Sequence, residues 1–189
     1  ILTIDFVLSS ESEIRKKILT EAGFKFETCN PKIDEFELKE KNKSLSPIEL
    51  SILLAKEKAL SVSKFFPDKH IIGSDQICIL NNKVFSKPVY KEKAMENLKE
   101  LSGKEHFQIN GLAIVKNSEI ILEDHFKAVL KMKNLSLDEI KAYVEKDKPL
   151  KASGSYKYES YGKELFEFVN GDPFVIQGLP LQAIKNFFR

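Results

Sequence analysis

The chain has 189 residues, 42% of them hydrophobic and 31% charged, enough for one core and far from the composition of disordered chains. Its 30 basic and 28 acidic side chains leave a formal net charge of +2, so no whole-molecule field exists to hold nucleic acid, and any basic site has to be local. No apolar run approaches the roughly 18 residues of a membrane span and no basic leader precedes an apolar stretch, so the expectation is one domain over 1–189, cytoplasmic, without membrane or nucleic-acid partners.

Thr3 to Ser9 (TIDFVLS) predicts a strand, and directly after it Ile14, Ile18, Leu19 and Ala22 fall on one helical face that Gly23 ends. Ser10 and Glu13 have capping-box spacing, with Ser12 as an alternative cap. A strand feeding straight into a helix N-terminus presents unpaired amide N–H groups, which suits an anion. Pro31 to Glu35 reads as a loop, followed by a polar stretch from Lys39 to Ser44. Ser46-Pro47-Ile48-Glu49 then opens a helix with a capping serine, a proline in the first turn and a glutamate three residues after the cap. Ile48, Ile52, Ala55, Ala59, Val62 and Phe66 form its predicted stripe, with Lys58 on the flank, and Pro67-Asp68 ends it.

Residues 70–80 (HIIGSDQICIL) are β-rich, and Asn81-Asn82 predicts a tight turn into Lys83-Val84-Phe85. A helix from Lys91 to Ser102 ends at Gly103, strands at 105–115 and 119–131 pair around Asn117-Ser118, and Ser136-x-x-Glu139 caps another helix. Helices interleaved with hairpins exclude a purely doubly wound parallel sheet. They predict an α/β fold, a mixed twisted sheet with flanking helices.

Several polar residues stand where a fold favours something else. Ser9-Ser10-Glu11-Ser12-x-x-Arg15-Lys16 brings hydroxyls, helix amides and a guanidinium to one join, where they can bind phosphate oxygens or merely cap the helix. Asp75 lies inside a strand, a position that disfavours aspartate unless it has a specific task or sits at an edge or bulge. Lys87, in Ser86-Lys87-Pro88, returns toward Asp75 if the hairpin is tight; otherwise it is a solvated cation. Of the Asp34-Glu35 pair, one acid can bind Mg²⁺ through oxygen, or both belong to a solvated loop. Lys58 can lay its stem on apolar surface and extend its ammonium into a cleft. Cys29 and Cys78 form no C-x-x-C and are expected to be reduced and buried, and His70, His106 and His125 show no metal-ligand spacing.

The S-x-S-x-x-R join, Asp34-Glu35, Leu-Ala-x-x-Lys-Ala ending at Ala59, Gly73-Ser74-Asp75-Gln76, Lys87-Pro88, Leu101-Ser102-Gly103 and Gly178-Leu179-Pro180-Leu181 occur in the order seen in the Maf family, which this sequence resembles over nearly its whole length. That family consists of nucleoside triphosphate pyrophosphatases. The resemblance implies an inosine triphosphate pyrophosphatase-like (Maf/Ham1) fold with two lobes around a cleft, and a homodimer. It also implies a divalent metal, Mg²⁺ or Mn²⁺, held by Glu35 and Asp75. Asp75 is implied as the base that activates water, and Ser10, Ser12, Arg15, Lys58 and Lys87 as phosphate ligands. Gly73-Ser74-Asp75-Gln76-Ile77-Cys78 and the segment from Ala152 to Glu159 are similar to the branch acting on 7-methylguanosine triphosphate. Ile14, Gln76 and Glu159 would then set base preference. An ionised carboxylate accepts the paired N–H donors of guanine in a fork and offsets the charge that methylation places on the ring. Tyr156, Tyr158 or Tyr161 is expected to stack on that cationic ring.

Two positions depart from the branch pattern: Ile14 stands where tryptophan is usual, and Ser160 where glycine is common, so a loop needing positive φ would sit differently. Both bear on the base and not on the phosphates. Other modified or pyrimidine nucleotides (dTTP or UTP) and a nucleotide-binding role in cell division are the alternative readings.

Overall fold

Phe6 and Leu8 point to one side of the first strand and Val7 to the other, and all three are fully buried, so this strand has to lie inside a sheet covered on both faces. The computed structural model, which describes residues 5–189, places it there. The strands are β1 (Asp5–Ser9), β2 (Lys25–Cys29), β3 (His70–Leu80), β4 (Lys83–Phe85), β5 (Glu105–Lys116), β6 (Glu119–Met132) and β7 (Phe166–Asn170). They form a seven-stranded sheet in the order β2-β1-β3-β5-β6-β7, with β4 hairpinned onto β3. β1 runs parallel to β2 and β3, while β3–β4 and β6–β7 are antiparallel, so the sheet is mixed as the interleaved pattern predicts. Thr3 and Ile4 of the predicted strand lie outside the described residues.

The helices are α1 (Glu13–Glu21), α2 (Glu35–Lys41), α3 (Pro47–Ser63), α4 (Lys91–Leu101), α5 (Leu137–Asp147), α6 (Pro173–Gln177) and α7 (Leu181–Phe187). No helix among the described residues is long and apolar enough to cross a membrane. The chain divides into two compact units. One comprises the chain through Gln76, Asn110–Phe126 and Gly178–Arg189; the other comprises Ile77–Ile109 and Lys127–Gln177.

In the first unit, Phe6, Leu8, Ile72, Leu112 and Ile114 pack against Ile18 and Leu19 of α1 and Leu181 and Ile184 of α7. On the opposite face Val7, Ile71 and Val115 pack against Ala59 and Val62 of α3. α3 lies unusually close to the strands. A Cβ on Gly73 would stand 2.1 Å from the Ala55 carbonyl oxygen, and one on Gly111 would stand 2.0 Å from that of Ser51. Only glycine leaves room for that contact. In the second unit, α4 and α5 bury Leu98, Leu101, Ile140 and Val144, and Tyr156 meets Phe166 edge-on at 4.8 Å between ring centroids.

The structure decides one open alternative and changes two expectations. α1 is capped by Ser12, whose hydroxyl accepts the Arg15 amide at 3.3 Å, and not by a Ser10–Glu13 box. Asp34 is no loop residue but the N-cap of α2, accepting the Glu37 amide at 2.9 Å, which puts Glu35 in the first turn. The buried stripe of α3 is Ser51, Leu54, Ala55, Lys58, Ala59 and Val62, so Lys58 is inside it, while Ile48 and Ile52 are only half-buried. The glycine contacts explain the shift, because a helix this close to the sheet turns its small residues inward.

Candidate active site

Three elements of the first unit bring charge to one place. The Lys58 ammonium is 2.9 Å from Asp75 Oδ1 and 2.9 Å from Glu35 Oε1. Asp75 stands in the interior of β3 and is 6% exposed, as is Lys58; Glu35 is half-exposed. An aspartate in a buried strand is tolerable because this ammonium neutralises it, and the ammonium is tolerable because two carboxylates receive it. The backbone beneath is fixed as well, since the Ser9 hydroxyl donates to the Lys58 carbonyl at 2.7 Å and ties α3 to the end of β1. Lys56, two residues earlier, pairs instead with Glu123 at 3.0 Å near the surface, which separates the roles of the two lysines.

Arg15 sits beside this cluster. It is 9% exposed; its Nε donates to the Gly178 carbonyl at 2.8 Å and its Nη1 to the Ser10 hydroxyl at 3.3 Å. Burial lowers its pKa, and the charges of Asp75 and Glu35 oppose that shift, so the guanidinium and both acids share one electrostatic environment. Ser10 also accepts the Ser12 amide at 3.1 Å. The Ser74 hydroxyl lies 3.1 Å from the Gly111 carbonyl and 3.3 Å from that of Gly178, holding the acceptor of Arg15 in place. The side chain of Gln76 lies against Gly178. Ile14 is half-buried and packs on the hydrophobic core of this unit.

Of the residues singled out in the sequence, Ser10, Ser12, Arg15, Glu35, Lys58, Asp75 and Gln76 are therefore collected in the first unit. Lys87 and Glu159 belong to the second. Lys87 is exposed and follows β4, whose register pairs Cys78 with Phe85 across a two-residue turn, the Asn81-Asn82 turn expected. Glu159 is exposed in the turn region before a 3₁₀ segment at Tyr161–Leu165. Ser160 has φ −119°, so its position needs no glycine; the left-handed residue of this loop is Ser155, at φ +61°.

The tyrosines divide. Tyr156 is 4% exposed and its hydroxyl is bound by His106 Nε2 and Gln108 Nε2, each at 2.8 Å, which removes it as a stacking partner for a base. Tyr161 has Lys146 Nζ over its ring, 3.6 Å from the centroid. Tyr158 is half-buried near Phe166. The cysteines are free, but only Cys78 is buried; Cys29 lies on the half-covered strand β2.

Sequence reasoning named Ser9 only as part of the phosphate-binding join and not as the tie to α3, and it missed the roles of Ser74, Gly111 and the Gly178 carbonyl. Ser9 and Ser74 left a trace as polar residues within buried strands. The carbonyl left none, because any residue supplies one.

Among the described residues no group of three or more His, Cys, Asp or Glu side chains is placed to hold a metal ion. Glu35 and Asp75 both receive the Lys58 ammonium through one oxygen, and each carboxylate has a second. Two carboxylates, with further oxygens from phosphate and water, are the donor set that Mg²⁺ favours, so the residues fit such an ion bound together with a phosphate chain.

The chain is similar to a protein from Legionella pneumophila named nucleoside triphosphate pyrophosphatase, 42% identical over 180 residues, covering 95% of this chain and 90% of that one. Proteins with the same name from Bradyrhizobium diazoefficiens and Pelagibacter ubique are 36% and 35% identical, with 97% and 98% of this chain covered and 92% and 97% of theirs. Among solved structures, the Staphylococcus aureus Ham1 protein matches at a TM-score of 0.44 and 14% identity, over 98% of this chain and 100% of that one, a likeness too weak to rest on. The family model described as Maf-like protein matches residues 5–189, and the chain belongs to that family.

Proposed function

We propose that this protein is a divalent-metal-dependent nucleoside triphosphate pyrophosphatase that prefers 7-methylguanosine triphosphate and releases the monophosphate and pyrophosphate. The observation that carries the reading is the Lys58 ammonium held between Asp75 and Glu35 beside Arg15, in a chain of this family. Two buried cations and two acids on rigid elements form a preorganised field of the kind that stabilises charge shifting along a phosphate chain.

In this mechanism Asp75 accepts a proton from a water that attacks the α-phosphorus, and the electron pair of the broken bond leaves with pyrophosphate. Arg15 and Lys58 offset the negative charge of the phosphates. Lys58 has three N–H donors, and the one not directed to Glu35 or Asp75 is assigned to a phosphate oxygen. The Ser10 oxygen accepts two N–H groups and keeps its own proton to donate, and the Ser12 hydroxyl retains its proton in the same way. Lys87 is assigned to the phosphates, and Gln76, Glu159 and Ile14 to the base, on the motif resemblance. Mg²⁺ or Mn²⁺ would be held by Glu35 and Asp75 and supplies polarisation of the phosphate chain when bound. The same reading carries a homodimer in the cytoplasm.

The test is pyrophosphate release from a panel of canonical and modified nucleoside triphosphates with Mg²⁺, with Mn²⁺ and with EDTA. The expected result is metal-dependent turnover with 7-methylguanosine triphosphate preferred, abolished at least 100-fold in kcat by Asp75→Asn, within the range for loss of a general base. Turnover in EDTA removes the metal from the mechanism. Preference for a thymidine or uridine nucleotide removes the base assignment and keeps the reaction. An Asp75→Asn variant that keeps more than about a tenth of the activity removes the base role of that residue.

A further inference from the structure

Within the second unit, α5 turns Tyr143 and Asp147 to the same side, one helical turn apart, and both are buried at 6% and 8% exposure. The Tyr143 hydroxyl accepts the Lys157 amide N–H at 2.8 Å, and the Ser160 hydroxyl donates to Asp147 Oδ1 at 2.8 Å. Between those two anchors the turn closes on itself, with the Ser160 and Gly162 amides both donating to the Lys157 carbonyl at 3.1 and 2.9 Å. Glu159 lies inside this bracket and is itself exposed. Burial raises the Tyr143 pKa, and the charges of Asp147 and Glu159 add to that shift, so Glu159 lies within electrostatic reach of the helix.

Asp147 is a costly residue for this position. Its second oxygen, Oδ2, is buried and makes no well-placed hydrogen bond, although the Tyr143 hydroxyl interacts with the carboxylate, and burying such a group costs free energy. What the carboxylate does provide is a directional acceptor for Ser160, the residue that stands where the resemblance leads one to expect glycine.

We propose that Tyr143 and Asp147 are positioning residues that aim the Glu159 carboxylate through the Lys157 amide and the Ser160 hydroxyl, and so determine preference for a base that presents paired N–H donors. The proposal rests on Glu159 being the residue that reads the base. A carboxylate accepts such a pair as a fork only within a narrow range of directions, and an exposed side chain on a loose turn spends binding energy on being ordered. A turn tied at both ends to one helix has that ordering built in.

The experiment measures kcat and KM for 7-methylguanosine triphosphate and for dTTP in the wild type, Ser160→Ala, Ser160→Thr, Glu159→Gln and the Glu159→Gln/Ser160→Ala double variant. A thermal unfolding midpoint for each variant reports its folding. Ser160→Ala is expected to raise KM for the methylated guanine nucleotide about tenfold, with kcat within about twofold and dTTP unaffected, while Ser160→Thr, which keeps the hydroxyl, restores it. In the Glu159→Gln background the same alanine change is expected to have no further effect, because the two residues act as one unit. If Glu159→Gln shifts the preference but Ser160→Ala moves both substrates equally or neither, the positioning role is wrong and the base assignment stands. If Glu159→Gln leaves the preference where it was, the base assignment fails and takes this proposal with it.

Discussion

The first unit gathers a cluster of buried charges, whereas the second relies on hydrogen bonds between neutral groups apart from the Asp147 carboxylate that accepts Ser160. Around Lys58 an ammonium, a guanidinium and two carboxylates are brought together, three of the four at 9% exposure or less, each made tolerable by the others. Around Tyr156 the buried groups are His106, Gln108, Ser155 and Asn97, whose amide donates to the Ser155 hydroxyl at 2.9 Å, and the one acid proposed to meet a ligand, Glu159, is left exposed. The difference follows from what each is proposed to handle. A phosphate chain brings several charges and needs opposing charge already in place, whereas a base edge needs direction, which a turn pinned to α5 supplies with one buried carboxylate, Asp147.

The sharpest way to break that contrast is at Lys58. Lys58→Met is expected to lower kcat/KM at least 100-fold and to cost about 2 kcal/mol in stability, less than the roughly 3–5 of a fully enclosed pair because Glu35 is open to solvent. Lys56→Met, which loses only an exposed pair with Glu123, is expected to change kcat/KM by less than about twofold. Steady-state pyrophosphate release and denaturant unfolding read both. Equal effects of the two substitutions would mean that burial between the acids is irrelevant to activity.

Next in size is the seating of α3. Gly73→Ala places a methyl group 2.1 Å from the Ala55 carbonyl oxygen, so the helix has to retreat from β3 and carry Lys58 away from Asp75. A loss of about 3 kcal/mol, with activity falling further than the population of folded protein accounts for, is expected from overpacking at a backbone contact. Chemical denaturation with parallel activity measurement checks it.

The buried imidazole beside Tyr156 has its own signature. Burial lowers the His106 pKa to about 4. Above the unfolded value of about 6.5 the ring is neutral in both states. Between about 6.5 and about 4 the unfolded chain binds a proton that the folded chain refuses, so stability falls as pH falls, by about 3 kcal/mol over that window. His106→Gln, which can still reach the Tyr156 hydroxyl with a polar group, is expected to flatten that part of the profile. Urea unfolding between pH 7 and pH 4 makes the comparison, and an unchanged slope would place the acid sensitivity elsewhere.

Local chemistry was legible wherever a signal is carried by neighbours in sequence. Ser46-Pro47-Ile48-Glu49 opens α3, Ser136 and Glu139 form the capping box of α5, and the Asn81-Asn82 and Asn117-Ser118 turns fall where their backbone preferences require, with Asn81, Asn117 and Ser118 at positive φ. Asp75 stood out for the same reason, being a residue its own strand does not want. β2 was missed although Phe24, Phe26 and Thr28 alternate, since an exposed edge strand buries little and its pattern is short. β7, α6 and α7 were also missed, being five to seven residues long.

What the sequence by itself determined was the mixed α/β character, the main helices and hairpins, and the identity of the charged residues, because capping, turn chemistry and hydrophobic period act over a few positions. Only the tertiary structure decided that Lys58 lies inside the buried stripe rather than beside it, that Arg15 is held by the carbonyl of a residue 163 positions away, and that Tyr156 is part of the core. Those outcomes depend on how closely a helix can approach a sheet and on backbone groups that every residue shares, and no local pattern encodes either.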